Sequence, residues 1–126
     1  MGVWQEVNSN PLGRKVGDCA IRAIAAALDT DWDAAYCLLA SCGYDVKNVM
    51  NADSVIGGTL RKHGFNRSAI PNTCPDCYSA EEFCLEHRKG IYVLFFGGHV
   101  ACARDGILLD TWDSSREIPQ YFWGKE

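Results

Sequence analysis

The sequence predicts a single α+β domain over residues 1–126, in which a buried helix near the N-terminus packs on an antiparallel sheet. Helical patterns fill the first two-thirds of the chain and strand patterns fill the last third. A length of 126 residues suits one domain, and a hydrophobic content of 48% is ordinary for a globular protein. Wholesale disorder is therefore not expected.

The first helix is the most distinctive element of the predicted fold. Residues 1–17 are expected to be irregular, because they contain an Asn-Ser-Asn-Pro run and glycines, which are turn formers. A helix is then predicted from Asp18 or Cys19 to about Leu28. It is apolar nearly all round except at Arg22, so it should be buried on most sides. We expect Arg22 to pair with a carboxylate or with loop carbonyls.

Three further helices and a loop are predicted before the sheet begins. The helices cover 31–42, ended by Gly43, then 53–63, weakened by two internal glycines and stopped by Gly64, and 80–88. Residues 66–78 are expected to form a loop. Ser79-Ala-Glu-Glu82 has the capping-box pattern, which supports the start of the last helix.

The strand predictions follow from short apolar runs rich in β-formers. They cover 91–96, Val100–Arg104, 107–112 and a short final strand at 121–123. Asp105-Gly106 is a strong signal for a two-residue hairpin turn, which pairs Arg104 with Ile107.

A candidate nucleophile lies at the start of the buried helix. A thiolate at Cys19 would be stabilised by unpaired backbone N–H groups and by the positive end of the helix dipole, which lower a thiol pKa. Its own N–H could also donate to an oxyanion. Asp18 is the natural N-cap. The alternative is that Cys19 is one of several buried structural thiols.

The hairpin supplies a candidate base and acid. Counting back from the turn places His99 opposite Trp112 and Ala101 opposite Asp110, so His99 and Asp110 become diagonal neighbours on one sheet face. Small alanines on that face leave room for the Ala-rich helix to dock. Asp113 is the competing carboxylate, but strand alternation places it on the opposite face. Cys19, His99 and Asp110 then match the nucleophile, base and orienting acid of cysteine hydrolases.

The segments 17–23 (GDCAIRA) and 98–113 (GHVACARDGILLDTWD) resemble small bacterial and phage-associated papain-like proteins, similar in plan to bacteriocin-leader peptidases. The resemblance implies a papain-like fold, with Cys19 as nucleophile, His99 as base and Asp110 as orienting acid. Such enzymes place a glutamine about six residues before the nucleophile, where this chain has Gly13. Asn10 is our candidate for that oxyanion role.

The resulting expectation is a cysteine peptidase or amidase that acts on a peptide or protein substrate without a cofactor. Two alternatives stay open. One is a papain-like binding module without turnover. The other is a zinc-stabilised interaction domain around Cys74, Cys77, Cys84 and His87, whose spacing is short for a zinc ribbon.

Composition excludes other classes. A net charge of −4 argues against a nucleic-acid partner, which needs clustered Lys and Arg. The sequence predicts no membrane span and no signal peptide. An odd count of seven cysteines without a secretion signal predicts a reduced, cytoplasmic protein.

Overall fold

The computed structural model describes residues 2–70 and 78–125. Within them, a mixed six-stranded sheet has the order β1-β5-β4-β3-β6-β2. The strands are β1 (Trp4–Glu6), β2 (Asn66–Ala69), β3 (Ile91–Phe95), β4 (Val100–Arg104), β5 (Ile107–Asp110) and β6 (Tyr121–Lys125). The helices are α1 (Cys19–Ala27), α2 (Trp32–Val46), α3 (Asp53–Lys62) and α4 (Ala80–Glu86). The predicted α+β architecture is confirmed.

The sheet is mixed, so the prediction of an antiparallel sheet is wrong at one edge. β3, β4, β5, β6 and β2 pair antiparallel along the sheet, but β1 pairs parallel with β5. Both edge strands lie in segments that were expected to be irregular. Most residues of β1 and β2 are polar, neither strand shows an apolar alternation, and all four side chains of β2 are exposed. Their strand character comes from the neighbour that each one pairs with, which the local sequence does not encode.

The β4–β5 hairpin has the predicted register. Arg104 pairs with Ile107, and the turn residues Asp105 and Gly106 have φ values of 51° and 81°. Two positive φ values in succession are what a type I′ turn requires. β5 ends at Asp110, two residues earlier than predicted, so Trp112 lies beyond the strand.

The sheet is covered on both faces, and the face assigned to the alanines is wrong. Helices α1, α2 and α3 share one core with the β4 residues Val100 and Cys102. Helix α4 lies on the opposite face, in a second core that contains Ala101 and Ala103. Helix α1 therefore docks on the face that carries Val100 and Cys102.

Helix α1 matches the prediction closely, whereas α2 runs past its predicted end. Six of the nine α1 residues are buried, including Ile24, which is fully covered. Helix α2 continues through Gly43 to Val46 and ends at Lys47, which has a left-handed conformation. A Cβ on Gly43 would lie 2.8 Å from the carbonyl oxygen of Asn48. This glycine therefore allows a close approach of the returning chain and does not stop the helix.

None of the helices in the described ranges combines the length and the apolar character that crossing a membrane requires.

Candidate active site

The candidate nucleophile is the first residue of α1. Cys19 is half-buried, and its N–H belongs to the first turn, where the helix offers no backbone acceptor. Asp18 occupies the N-cap position but does not cap the helix with its side chain. Its carboxylate instead accepts hydrogen bonds from Arg22 Nε at 2.8 Å and from the Trp32 indole at 3.0 Å. The Asp18 charge is thereby neutralised beside the thiol.

Asp110 is a buried carboxylate held by four donors. Its Oδ2 accepts from His99 Nε2 and from Ser114 Oγ, each at 2.7 Å. Its Oδ1 accepts from Arg22 Nη1 at 3.0 Å and from the Thr111 backbone N–H at 2.8 Å. Burial raises the pKa of Asp110, but the hydrogen bonds from His99 and Ser114 and the charge of His99 outweigh it, so the pKa is lowered. The group is therefore a carboxylate that can orient an imidazole.

A tight turn places His99 directly before β4. Gly97 and Gly98 have φ values of 82° and 92°, and the Phe96 N–H donates to the His99 carbonyl at 2.9 Å. Residues that carry a side chain rarely adopt such backbone φ values, so both positions favour glycine. The imidazole is flanked by the Phe96 and Trp112 rings, with centroid separations of 5.8 and 5.1 Å.

The thiol and the imidazole shift each other's protonation. Burial raises the pKa of Cys19, but hydrogen bonding to His99 and to the Val100 backbone, with the charges of His99 and Arg22, lowers it overall. Burial lowers the pKa of His99, but Asp110 and Cys19 raise it to about 9. Because Asp110 occupies Nε2, the nitrogen left for Cys19 is Nδ1. Each group therefore stabilises the charged form of the other, the thiolate of Cys19 and the imidazolium of His99.

Arg22 forms ion pairs with Asp18 and Asp110, which confirms the prediction that it pairs with a carboxylate. Its guanidinium binds Asp18 and Asp110 at once, and only 12% of its side chain is exposed. Asp18 lies at the N-cap of α1, and Asp110 is the last residue of β5. Arg22 therefore links the helix that carries the thiol to the strand that carries the orienting acid.

A cleft of about 190 Å³ opens onto the thiol and the imidazole. It is bounded by Cys19 at the start of α1, by Asn51 and Asp53 around the start of α3, and by Gly98 and His99 in the turn before β4.

Comparison with known proteins found no matching family model, curated protein or solved structure.

The two asparagines near the site have different surroundings. The Asn10 amide donates to Asp18 Oδ2 at 3.4 Å and its oxygen accepts from the Leu12 N–H, and Asn10 is not among the residues that bound the cleft. Asn51 does bound it. Asn51 was not predicted, because the oxyanion donor was expected before Cys19, whereas Asn51 lies between α2 and α3.

The Asp113 carboxylate, the competing candidate, is exposed and accepts from the Ser115 N–H at 3.0 Å. Ser114, by contrast, is fully buried against Asp110 and was not singled out from the sequence. Nothing in the pattern around it marks a serine as a partner of a carboxylate. Its role follows from the turn that brings it back to the end of β5.

Of the four candidate zinc ligands, Cys74 and Cys77 lie outside the described residues. Cys84 is buried in the α4 core, where burial raises its pKa to about 11. The His87 ring stacks on Phe83 at 3.9 Å, and its Nδ1 hydrogen-bonds the Phe83 carbonyl. Within residues 2–70 and 78–125, no cluster of three or more His, Cys, Asp or Glu side chains could hold a metal ion.

Proposed function

We propose that this protein is a cysteine hydrolase of the peptidase or amidase type, with Cys19 as nucleophile, His99 as base and Asp110 as orienting acid. One observation carries the proposal. An imidazole anchored at 2.7 Å to a buried carboxylate shares a cleft with a thiol at a helix start, and the thiol has a lowered pKa. Buried structural thiols in apolar surroundings have raised values instead, as Cys84 and Cys102 do.

The reaction that these groups support is acyl transfer through a thioester. The Cys19 sulfur forms a bond to the substrate carbonyl carbon, and the carbonyl oxygen becomes an oxyanion. When the C–N bond breaks, the leaving amine takes the proton from the His99 imidazolium. Water then adds to the thioester carbon while neutral His99 accepts its proton. The C–S bond breaks and the acid is released. An amine in place of water would give acyl transfer with the same residues.

The oxyanion would be stabilised by the Cys19 backbone N–H, with Asn51 as the second donor. An N–H in the first turn of a helix has no intrahelical partner, so it can donate to a developing charge. Asn51 bounds the same cleft and carries an amide, the group that the missing glutamine would supply. We therefore prefer Asn51 to Asn10 for this role.

The papain-like resemblance supports the proposal in one further respect. The three residues occur in the order Cys, His, Asp, and the resemblance implies the same roles for them. The fold proposed on that basis is papain-like. A cytoplasmic location is part of the same proposal, and the five cysteines in the described residues are all free thiols.

Alkylation of the protein by iodoacetamide tests the activated thiol. Cys19 and the exposed Cys37 are compared in the same molecule by peptide mass mapping from pH 5 to 10. We expect Cys19 to react at a pH where Cys37 does not, and His99→Gln to remove that difference. Cys37 is a matched internal control because both thiols meet the same reagent. Equal pH profiles for Cys19 and Cys37 in the wild-type protein would contradict the proposal.

Turnover is tested separately with a pool of fluorogenic peptide amides. We expect cleavage by the wild-type protein and none by Cys19→Ala. An activated thiol without turnover would favour the alternative of a papain-like binding module.

A further inference from the structure

A second groove continues from the cleft and shares one residue with it. Asp53, at the start of α3, borders both the cleft of Cys19 and a groove of about 360 Å³. Helix α3 forms one wall of this groove, and the strands β2 and β6 form the other. A substrate held at Cys19 can therefore extend past Asp53 into this space.

Two arginines line the groove, and each makes a cation–π contact with an aromatic ring. The Arg61 guanidinium lies 5.2 Å from the centroid of the Trp123 ring, and the Arg67 guanidinium lies 4.1 Å from that of Tyr121. Cation–π contact holds the flat face of a guanidinium and leaves its N–H edge free for an acceptor. Among the residues that the structure describes, neither arginine forms an ion pair. Arg67 also hydrogen-bonds the Tyr121 side chain. Because a guanidinium has five N–H donors, both arginines keep donors for a ligand.

Two glycines lie on the helix wall of this groove, and one of them allows an aromatic ring to pack closely against α3. Gly57 and Gly58 occupy the face of α3 between Asp53 and Arg61. A Cβ on Gly57 would lie 2.8 Å from the Trp123 ring, so the ring packs directly on the helix backbone. The position of the Trp123 ring that Arg61 contacts therefore depends on that close packing.

The charges along the groove have a definite order. Asp53 borders the cleft of Cys19 and disfavours an anion there, whereas Arg61, two turns farther along α3, favours one away from Cys19. Arg67 lies on the opposite wall, in β2. Asp53 and Arg61 are eight residues apart on α3, which corresponds to about 12 Å along a helix axis. That span matches roughly three to four residues of an extended peptide.

We propose that the groove of Arg61 and Arg67, here called the arginine groove, binds a carboxylate on the substrate. The carboxylate lies on the far side of Asp53 from the carbonyl that Cys19 attacks, about three or four residues beyond Asp53. It belongs to an acidic side chain or to a peptide C-terminus. The inference rests on the proposed function for the position of that carbonyl. The preference for a carboxylate is measurable without turnover.

Peptide binding to the full-length Cys19→Ala protein tests the arginine groove. The probes are fluorescently labelled octapeptide pools, acetylated and amidated, with Asp and Glu left out of the mixed positions. Each pool fixes Glu or Gln at one position, and binding is followed by fluorescence anisotropy. A third set carries Gln and a free C-terminal carboxylate, which separates the two carboxylate sources. We expect one carboxylate pool to bind about five- to tenfold more tightly than its neutral partner.

The variant Arg61→Gln/Arg67→Gln, also in the Cys19→Ala protein, should bind the paired pools equally. Arg88→Gln is the matched control, because Arg88 is an exposed arginine outside the groove, and the preference should survive there. Equal binding of carboxylate and neutral pools to Cys19→Ala would overturn the inference, as would a preference that persists in the double variant. A preference without cleavage by the wild-type protein would uphold the groove and reject the hydrolase.

Discussion

Replacing Asp110 by Asn tests whether this carboxylate sets the protonation of the imidazole. The substitution keeps the size of the side chain but removes the charge that faces His99 Nε2 at 2.7 Å. It also removes one of the two carboxylates that Arg22 contacts. Asp18 remains, so the guanidinium keeps a partner.

The size of the effect follows from the His99 pKa. Its value of about 9, against the ordinary 6.5, corresponds to roughly 300-fold in proton affinity, or about 3 kcal/mol. Burial opposes this rise, and Asp110 is the largest cause in its favour. Without the Asp110 charge, burial persists and only Cys19 favours the imidazolium. We expect the proton affinity of His99 to fall at least about tenfold, and the pKa of Cys19 to rise because its partner is then less often charged.

Histidine ring resonances report this pKa directly. A pH titration followed by long-range ¹H–¹⁵N correlation covers the three histidines of the chain, and the signal lost in His99→Gln identifies His99. Asp113→Asn is the matched control, because Asp113 is exposed and bonds the Ser115 N–H. Ser114→Ala removes a donor to the same oxygen that binds His99 and should move the pKa by less. An unchanged His99 pKa in a folded Asp110→Asn protein would refute the reasoning.

Three further predictions concern the ion pairs and the turn. Arg22→Met should lower the free energy of unfolding by about 3–5 kcal/mol, since two buried carboxylates lose their cation, and urea titration with Arg88→Met as control measures it. In the wild-type protein the free energy of unfolding should fall as the pH drops below 3.8, the ordinary pKa of Asp18 and Asp110, because both values are lowered on folding. Urea titrations at pH 5 and pH 2.5 measure this loss, and equal stabilities would contradict it. Gly98→Ala should cost about 1–2 kcal/mol, because φ is +92° there. Gly17→Ala is the thermal-melt control in the same cleft, since a Cβ on Gly17 has nothing within 4 Å.

Local signals predicted those parts of the fold that depend on local chemistry. The Asp105-Gly106 turn determined the register of the β4–β5 hairpin, and Ser79 begins α4 by accepting from the Glu82 N–H at 3.3 Å. The edge strands β1 and β2 were missed because their partners are distant in sequence and most of their own residues are polar. Pairing with a distant partner can make a strand of residues that show no strand pattern.

The meeting of His99 and Asp110 followed the prediction, although one step of the reasoning behind it was wrong. Strand alternation assigned both residues to the face of Ala101 and Ala103, with α1 docked there. The alanines lie on the α4 face, and α1 lies on the other. His99 precedes β4 and Asp110 is the last residue of β5, so both lie where the alternation ends. The hairpin register brings these strand ends together, and the turns before β4 and after β5 set the directions of the two side chains.

A site built where chain elements end needs its backbone fixed by something other than the alternation of a strand. The Asp110 carbonyl accepts from the Val7 N–H at 2.9 Å and from the Trp4 indole at 3.2 Å, both supplied by β1 and its continuation. Arg22 ties the Asp110 carboxylate to the start of α1. The edge strand β1, which was not predicted, and Arg22 of α1 therefore hold Asp110 in place through separate contacts, one with its carbonyl and one with its carboxylate. Geometry this tightly determined is what a triad needs, because a base contributes to catalysis only when it is held within hydrogen-bonding reach of its nucleophile.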